Sequence, residues 1–481
     1  MEASPAGTYQ SAPGRPEKVT HNPLVRIASD WRDEWRARGH YPPGPTGFSA
    51  RRTCGIVHDP LPILLALYEE HGPVFTTRLF HGKQVWMLGP EANQYVLVTH
   101  PENFRWREGN FGDLIPLLGD GLLTIDGDYH DRARRIMMPA FHREQIEAAT
   151  QAMIAEARAA TASWGDGEIL DVYEWMRNLA MRIAMRALLG LDPDDAGHGA
   201  SAAHHFERAL AYYGTDAPAR VMRGPGTPWR RMIRSRSVLD EIVFGEIRRR
   251  RADPDPERRD ILSLLTAARD EDGSGFSDQE IRDQTMTLMF AGHDTSTSTL
   301  SFLMFELARS PDVREKLEAE LDDVLAGEAP AADRLHSDLP YLEMVMDETL
   351  RLYPPAWIGP RRAIRSFEFA GHEVPRGAYV NYCSWASHRL PHVFDDPHAF
   401  IPERFGRERK AALPRGAYVP FGGGTRICIG KRFGQTEVKL VAAMLGQRFR
   451  LELLPEYEMT VRQMPTLGPK GGLPMRVRVR G

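Results

Sequence analysis

Between residues 24 and 38 the apolar side chains Leu24, Ile27, Ala28, Trp31 and Trp35 recur at helical spacing, with Arg26, Arg32, Arg36 and Arg38 around them. The pattern predicts an amphipathic helix from Leu24 to Arg38. Its apolar stripe is expected to pack on the rest of the chain; a membrane surface is the alternative seat for such a helix. Tyr41-Pro42-Pro43-Gly44-Pro45 breaks it and opens the main body, so residues 1–41 (a flexible tail to about residue 20, then the helix) divide from 42–481. Beyond that point helical periodicity dominates, with strand-like stretches near residues 73–89, 363–384 and 449–480. Ser277-Asp278-Gln279-Glu280 forms a capping box, and the helix it opens runs to Ser310-Pro311, roughly 50 Å of chain. Its second half, with Leu300, Phe302, Leu303, Met304, Phe305 and Leu307, is apolar nearly all round, as in a helix buried in a large core. The expected fold class is mainly α with a small β-rich lobe.

A 481-residue chain with 42% hydrophobic content buries a sizeable core. Its 61 basic and 65 acidic residues leave a net charge of -4, which gives no global attraction to nucleic acid or to anionic membrane. Cys54, Cys383 and Cys428 form no C-x-x-C pair, and an odd count argues against a disulfide framework and for a reducing compartment. No apolar run approaches a membrane span, and the N-terminus lacks the apolar core of a signal peptide. The expectation is a cytoplasmic protein without a transmembrane anchor.

The most informative stretch is Pro420-Phe421-Gly422-Gly423-Gly424-Thr425-Arg426-Ile427-Cys428-Ile429-Gly430, followed by a helical pattern. A Walker loop fails, because five residues rather than four separate Gly424 from Gly430-Lys431, and Arg432 stands where Ser or Thr is needed. A dinucleotide fingerprint fails at Ile427, which replaces its third glycine. A generic anion nest stays open. The loop does suit a thiolate: glycines allow close backbone N–H groups, a helix N-terminus follows, and Arg426, Lys431 and Arg432 flank Cys428. Considered alone, a single cysteine is more often buried and inert.

Other constellations are weaker. Ala291-Gly292-His293-Asp294-Thr295 sets an acid and an alcohol inside an apolar helix; they either carry protons or are satisfied locally, Thr295 by back-bonding and Asp294 by a salt bridge. Glu348 and Arg351 stand at i and i+3, an ordinary spacing for a surface ion pair. His130 and Arg134 share a helical face that reads equally as a solvated basic surface.

The cysteine stretch resembles the ligand loop of the cytochromes P-450, the haem-thiolate monooxygenases, in which Phe-Gly-x-Gly-x-Arg-x-Cys-x-Gly precedes a long helix. Phe421, Gly422, Gly424, Arg426, Cys428 and Gly430 fill every specified position. The resemblance extends in order from about residue 42 to the C-terminus. It implies haem b (iron protoporphyrin IX) buried between the long helix and the cysteine loop, with Cys428 as axial iron ligand. It also implies proton delivery by Asp294 and Thr295, and a buried triad of Glu348, Arg351 and Arg404, the last from Phe400-Ile401-Pro402-Glu403-Arg404-Phe405. His130, Arg134, Arg362 and Arg426 become the expected propionate ligands, although His130 stands where Trp is common in the family and Arg361 lies beside Arg362.

What the resemblance implies for function is insertion of one atom of O2 into a small apolar substrate. Electrons would come from NAD(P)H through a separate ferredoxin and ferredoxin reductase, since no part of the chain resembles a flavin or nicotinamide domain. Arg407, Arg409, Lys410, Arg415, Lys431, Arg432, Arg132 and Arg135 are the expected dock for an acidic ferredoxin. Leu350-Arg351-Leu352-Tyr353-Pro354-Pro355 and Gly471-Gly472-Leu473-Pro474 look like bacterial fatty-acid and terpenoid hydroxylases. The specificity regions would lie near 104–120, 200–235 and 356–359, with Phe290, Ala291 and Trp357 as the expected substrate contacts. Two rival readings are a peroxide-driven peroxygenase and a haem-binding sensor or carrier without turnover; the intact Asp294-Thr295 pair speaks against both.

Overall fold

The computed structural model of the chain describes residues 16, 19, 20, 22–37, 40–195, 197–215 and 217–480; the tail before residue 16 and Arg38 lie outside them. Helices dominate and the strands gather into small sheets, as the hydrophobic pattern predicts.

The first helix spans Pro23–Arg36, with the Asn22 side chain accepting from the Leu24 N–H at its start and proline at its first turn. Its seating differs from expectation. The apolar stripe faces outward, and the charged stripe Arg26, Asp30, Asp33 and Glu34 faces the body. Asp30 and Asp33 receive the two Arg362 Nη atoms at 3.1 and 2.8 Å, and Glu34 receives Arg78 Nη2 at 2.7 Å. Asp30 also accepts the Tyr379 hydroxyl at 3.1 Å and meets His81 Nε2 at 2.8 Å. The body side of this interface is itself basic and half-buried, so seating Leu24 and Trp31 there would leave Arg362 and Arg78 without counter-charge, a loss that exceeds the apolar burial gained.

Five strands form the main sheet in the order Val74–Leu79, Gly82–Met87, Tyr379–Cys383, Ile358–Ala363 and Phe104–Arg105, with only the second and third parallel. A second sheet joins Ile169–Asp171, Pro474–Val479 and Phe449–Leu453. Phe104–Arg105 and Ile169–Asp171 are too short to show a period of two in sequence.

The central helix runs over Asp278–Arg309, 32 residues, and its capping box is present: Ser277 Oγ accepts from the Glu280 N–H at 3.3 Å and the Ser277 N–H donates to Glu280 Oε2 at 2.8 Å. Most of its residues are buried. It packs on the helices Val172–Ala184, Pro340–Leu352 and Lys431–Arg448, so the cysteine loop, which leads into the last of these, is held against its flank. Among the described residues no helix is long and apolar enough to cross a membrane.

Candidate active site around Cys428

The cysteine loop depends on its glycines. Gly422 and Gly424 take φ values of +70° and +61°, and a Cβ on Gly424 would stand 2.1 Å from the Leu97 carbonyl oxygen. The loop closes when the Cys428 N–H donates to the Phe421 carbonyl at 2.9 Å. Burial raises the Cys428 thiol above its ordinary range, while the Gly430 N–H, Arg134 and Lys431 act the other way. Cys428 nevertheless keeps accessible surface, so the chain leaves space beside it. Ala291 is likewise accessible although it lies midway along the buried central helix.

Four basic groups converge near this space. The helix Gly127–Met137 supplies His130 and Arg134, the cysteine loop supplies Arg426, and the strand Ile358–Ala363 supplies Arg361. Burial, with Arg426 adding to it, pushes the His130 imidazole down to about 4, and His130 Nδ1 meets Asp131 Oδ1 at 2.9 Å. Burial pushes Arg426 down to about 10 although Nη2 donates to Asp126 Oδ1 at 2.7 Å. Burial likewise lowers Arg134.

Arg361 corrects the expectation for Arg362. Successive strand residues point to opposite faces, and Arg362 is taken up by Asp30 and Asp33 on the far side. Arg361 is fully buried, lies over the Trp106 ring at 3.4 Å and is pushed down to about 10 by burial, with Arg426 contributing. No described carboxylate pairs with it. Arg361 and the half-buried Arg134 are thus cations without a described carboxylate partner, an arrangement that is unfavourable without an anion. The two propionates of haem supply such charge, and a free thiol beside the same region suits its iron; the residues present fit the group.

On the central helix the Thr295 hydroxyl donates back to the Ala291 carbonyl at 2.6 Å. Asp294 is buried and accepts the Thr466 hydroxyl on Oδ2 at 2.6 Å, while its Oδ1 has no partner. Arg177 lies close enough to feel its charge. Thr295 is thus satisfied locally by its own helix, while Asp294 is held on one oxygen by an alcohol and forms no salt bridge among the described residues. One residue further on, Ser296 donates to Glu437, a buried acid that the sequence reading passed over. Its signal was a glutamate among Val438, Leu440 and Val441 on an otherwise apolar face.

Glu348, Arg351 and Arg404 are brought together in the fold. Arg351 Nε and Nη2 bind Glu348 at 2.7 and 2.8 Å, both residues are fully buried, and Arg404 Nε reaches Glu348 Oε1 at 3.4 Å. Arg351 also donates to the carbonyls of His388, Pro397 and Ala399. His388 continues this network to the cysteine loop: its Nε2 accepts the Val419 N–H at 2.9 Å.

Two expectations change. Trp357 is core rather than cavity wall, its indole donating to the Gln463 carbonyl at 2.9 Å and packing edge-on against Trp385. Of the basic residues expected to receive a ferredoxin, Arg132, Arg135 and Lys410 are engaged by Glu280, Asp270 and Asp347. Arg407, Arg409, Arg415, Lys431 and Arg432 stay exposed, with no described carboxylate partner. Ala291 is accessible and Phe290 half-buried.

The family model described as Cytochrome P450 matches residues 55–472. A cyclooctat-9-en-7-ol 5-monooxygenase of Streptomyces melanosporofaciens is 36% identical over 408 residues, covering 84% of this chain and 87% of the relative. A pentalenene oxygenase of Streptomyces avermitilis is 33% identical over 366 residues, 76% of this chain and 81% of the relative. A solved cyanobacterial structure, CYP120A1 with retinoic acid bound, superposes with a TM-score of 0.81 at 29% identity, covering 92% of this chain and 99% of that one. The loop geometry, the cluster of basic groups and these likenesses agree, and the chain is a bacterial-type member of the cytochrome P450 family, a haem-dependent monooxygenase.

Proposed function

We propose that this monooxygenase hydroxylates a terpenoid-like apolar substrate in the cytoplasm, drawing electrons from NAD(P)H through a separate ferredoxin and its reductase. The observation that carries the reading is the convergence of a free Cys428 thiol with His130, Arg134, Arg361 and Arg426, of which Arg134 and Arg361 have no described carboxylate partner. Relatives that oxidise cyclic terpenes support the substrate class. A fatty acid is the second substrate class in keeping with an apolar pocket.

In this reading Cys428 holds the iron through sulfur, with the Gly430 N–H, Arg134 and Lys431 favouring the thiolate. The four basic groups hold the propionates by charge-assisted hydrogen bonds. When bound, haem supplies the iron centre at which O2 is reductively activated. Ala291 and Phe290 offer the apolar wall that orients substrate and excludes water. Thr295 holds a proton near the reacting oxygen with its hydroxyl, and Asp294, whose Oδ1 is open, passes protons inward from the Arg177 side. The exposed Arg407, Arg409, Arg415, Lys431 and Arg432 offer the ferredoxin an unpaired positive surface.

The test is the absorption spectrum of reduced protein with and without carbon monoxide, in wild type and Cys428→Ala, followed by spin-state titration with cyclic terpenes and fatty acids. A strongly red-shifted Soret band confined to the wild type, with a spin shift on terpenes, is expected. Haem-loaded wild type lacking that band would remove the thiolate assignment, and a panel without spin shifts would remove the substrate class.

A further inference from the structure

The first helix leaves Leu24, Trp31 and Trp35 in solvent, at 76, 57 and 78% exposed. The Trp31 indole N–H donates to the His81 carbonyl at 3.2 Å, which holds that ring beside the hairpin turn carrying Phe80, itself 50% exposed. Phe80 adopts φ +51°, a left-handed conformation that an aromatic L-residue avoids. Half of this residue stays open to solvent. Arg78 donates to the Thr46 carbonyl at 2.9 Å and to the His81 carbonyl at 2.6 Å, which draws the segment bearing Phe48, 68% exposed, to the same corner. Three separate stretches of chain thus bring aromatic residues at least half exposed to one corner.

The charges are sorted there as well. Asp30, Asp33 and Glu34 all turn toward the body and are engaged by Arg362, Arg78 and His81. The outward cations are weakly engaged: Arg36 and Arg51 have no described carboxylate partner, and Arg32 meets Asp33 at 4.0 Å and donates to Ser29 Oγ at 3.3 Å. A helix face of indoles and guanidinium groups without acids matches the headgroup region of an anionic bilayer, where tryptophan prefers the boundary and arginine meets lipid phosphate. A protein partner would need a matching acidic and apolar surface, and nothing on this face selects one.

We propose that the first helix, with Phe48 and Phe80 beside it, docks this enzyme on an anionic lipid surface. The helix lies in the plane of the headgroups with Trp31 and Trp35 inserted and Arg32 and Arg36 against phosphate. The docking is independent of the reaction proposed above. At the other end of the helix Arg26 binds Asn110 Oδ1 at 3.1 Å and pairs with Asp113, whose carbonyl accepts the Tyr213 hydroxyl at 3.3 Å. Docking would therefore bring the segment around residues 110–113 to the bilayer.

The experiment is co-sedimentation of the full-length, haem-loaded protein with phosphatidylcholine vesicles and with vesicles containing phosphatidylglycerol, together with tryptophan emission. Binding to the anionic vesicles about ten-fold tighter than to the neutral ones is expected, with a blue shift of emission. The double variant Trp31→Ser/Trp35→Ser and the double variant Arg32→Gln/Arg36→Gln should each weaken it about ten-fold or more, with an unchanged haem spectrum and melting midpoint. Met138→Ser, which removes an exposed apolar residue elsewhere, should bind as wild type does. Wild type that sediments with neither vesicle overturns the proposal, as does binding that the tryptophan variant does not reduce. Self-association lost in that variant, without vesicle binding, would overturn it in favour of a second copy of the chain.

Discussion

Ser296 donates its hydroxyl to Glu437 Oε2 at 2.6 Å, tying the central helix to the helix that follows the cysteine, one residue from Thr295. Glu437 is buried, and that burial pushes its carboxyl up to about 8, against an ordinary 4.5; the Ser296 bond offsets only part of the shift. The acid is therefore protonated near neutrality and locks two elements of the site together as a neutral pair.

The folded protein keeps a proton on Glu437 that the unfolded chain releases above about 4.5, so this group lowers stability as pH rises from about 4.5 to 8 and adds nothing further above that. Glu437→Gln keeps the hydrogen bond and removes the titration. Its melting midpoint should fall less than that of wild type across this window. Parallel profiles for the two proteins would show that Glu437 is ionised in the fold.

Arg361 and Arg362 should separate cleanly. Arg361→Ala removes a buried charge-assisted donor worth about 1.5–3 kcal/mol and should weaken haem retention by roughly 10- to 100-fold. Arg362→Ala should leave haem retention near wild type and instead free the first helix, seen as faster proteolysis near residues 23–36. Loss of haem from the Arg362 variant alone would reverse the assignment of the two strand faces.

Removing Glu348 leaves Arg351 buried without its counter-charge and withdraws the acceptor of the Ile401 N–H, which it holds at 2.8 Å. Breaking such a buried pair costs about 3–5 kcal/mol. Glu348→Ala should therefore yield protein that does not retain haem, measured by the haem-to-protein absorbance ratio. A haem-replete, stable variant would show the triad to be dispensable.

Thr295→Ala removes the hydroxyl assigned to hold a proton at the reacting oxygen. NAD(P)H consumption should continue with a surrogate ferredoxin system while product per NAD(P)H falls several-fold and hydrogen peroxide rises. Wild-type coupling in the variant would mean that the bond to the Ala291 carbonyl is the whole role of Thr295.

Much of this protein is written in short-range pattern. The capping box at Ser277, the proline stop after Ser310 and the apolar run between them fix the central helix locally, because caps and periodicity act within a few residues. The cysteine loop was equally legible, since glycines at positive φ, the flanking Arg426 and the following helix all lie within ten residues of Cys428.

Tertiary structure alone decided which face each element turns inward. Arg361 and Arg362 are adjacent in sequence, and only the pairing of their strand, with Trp106 on one side and Asp30 and Asp33 on the other, assigns their roles. Trp357 likewise became core because Gln463 and Trp385 arrive from distant segments. The first helix carries two stripes of equal regularity, one apolar and one charged. Its periodicity predicts a helix, but the basic surface waiting on the body selects the charged stripe, because buried cations need counter-charges more than that surface needs apolar cover.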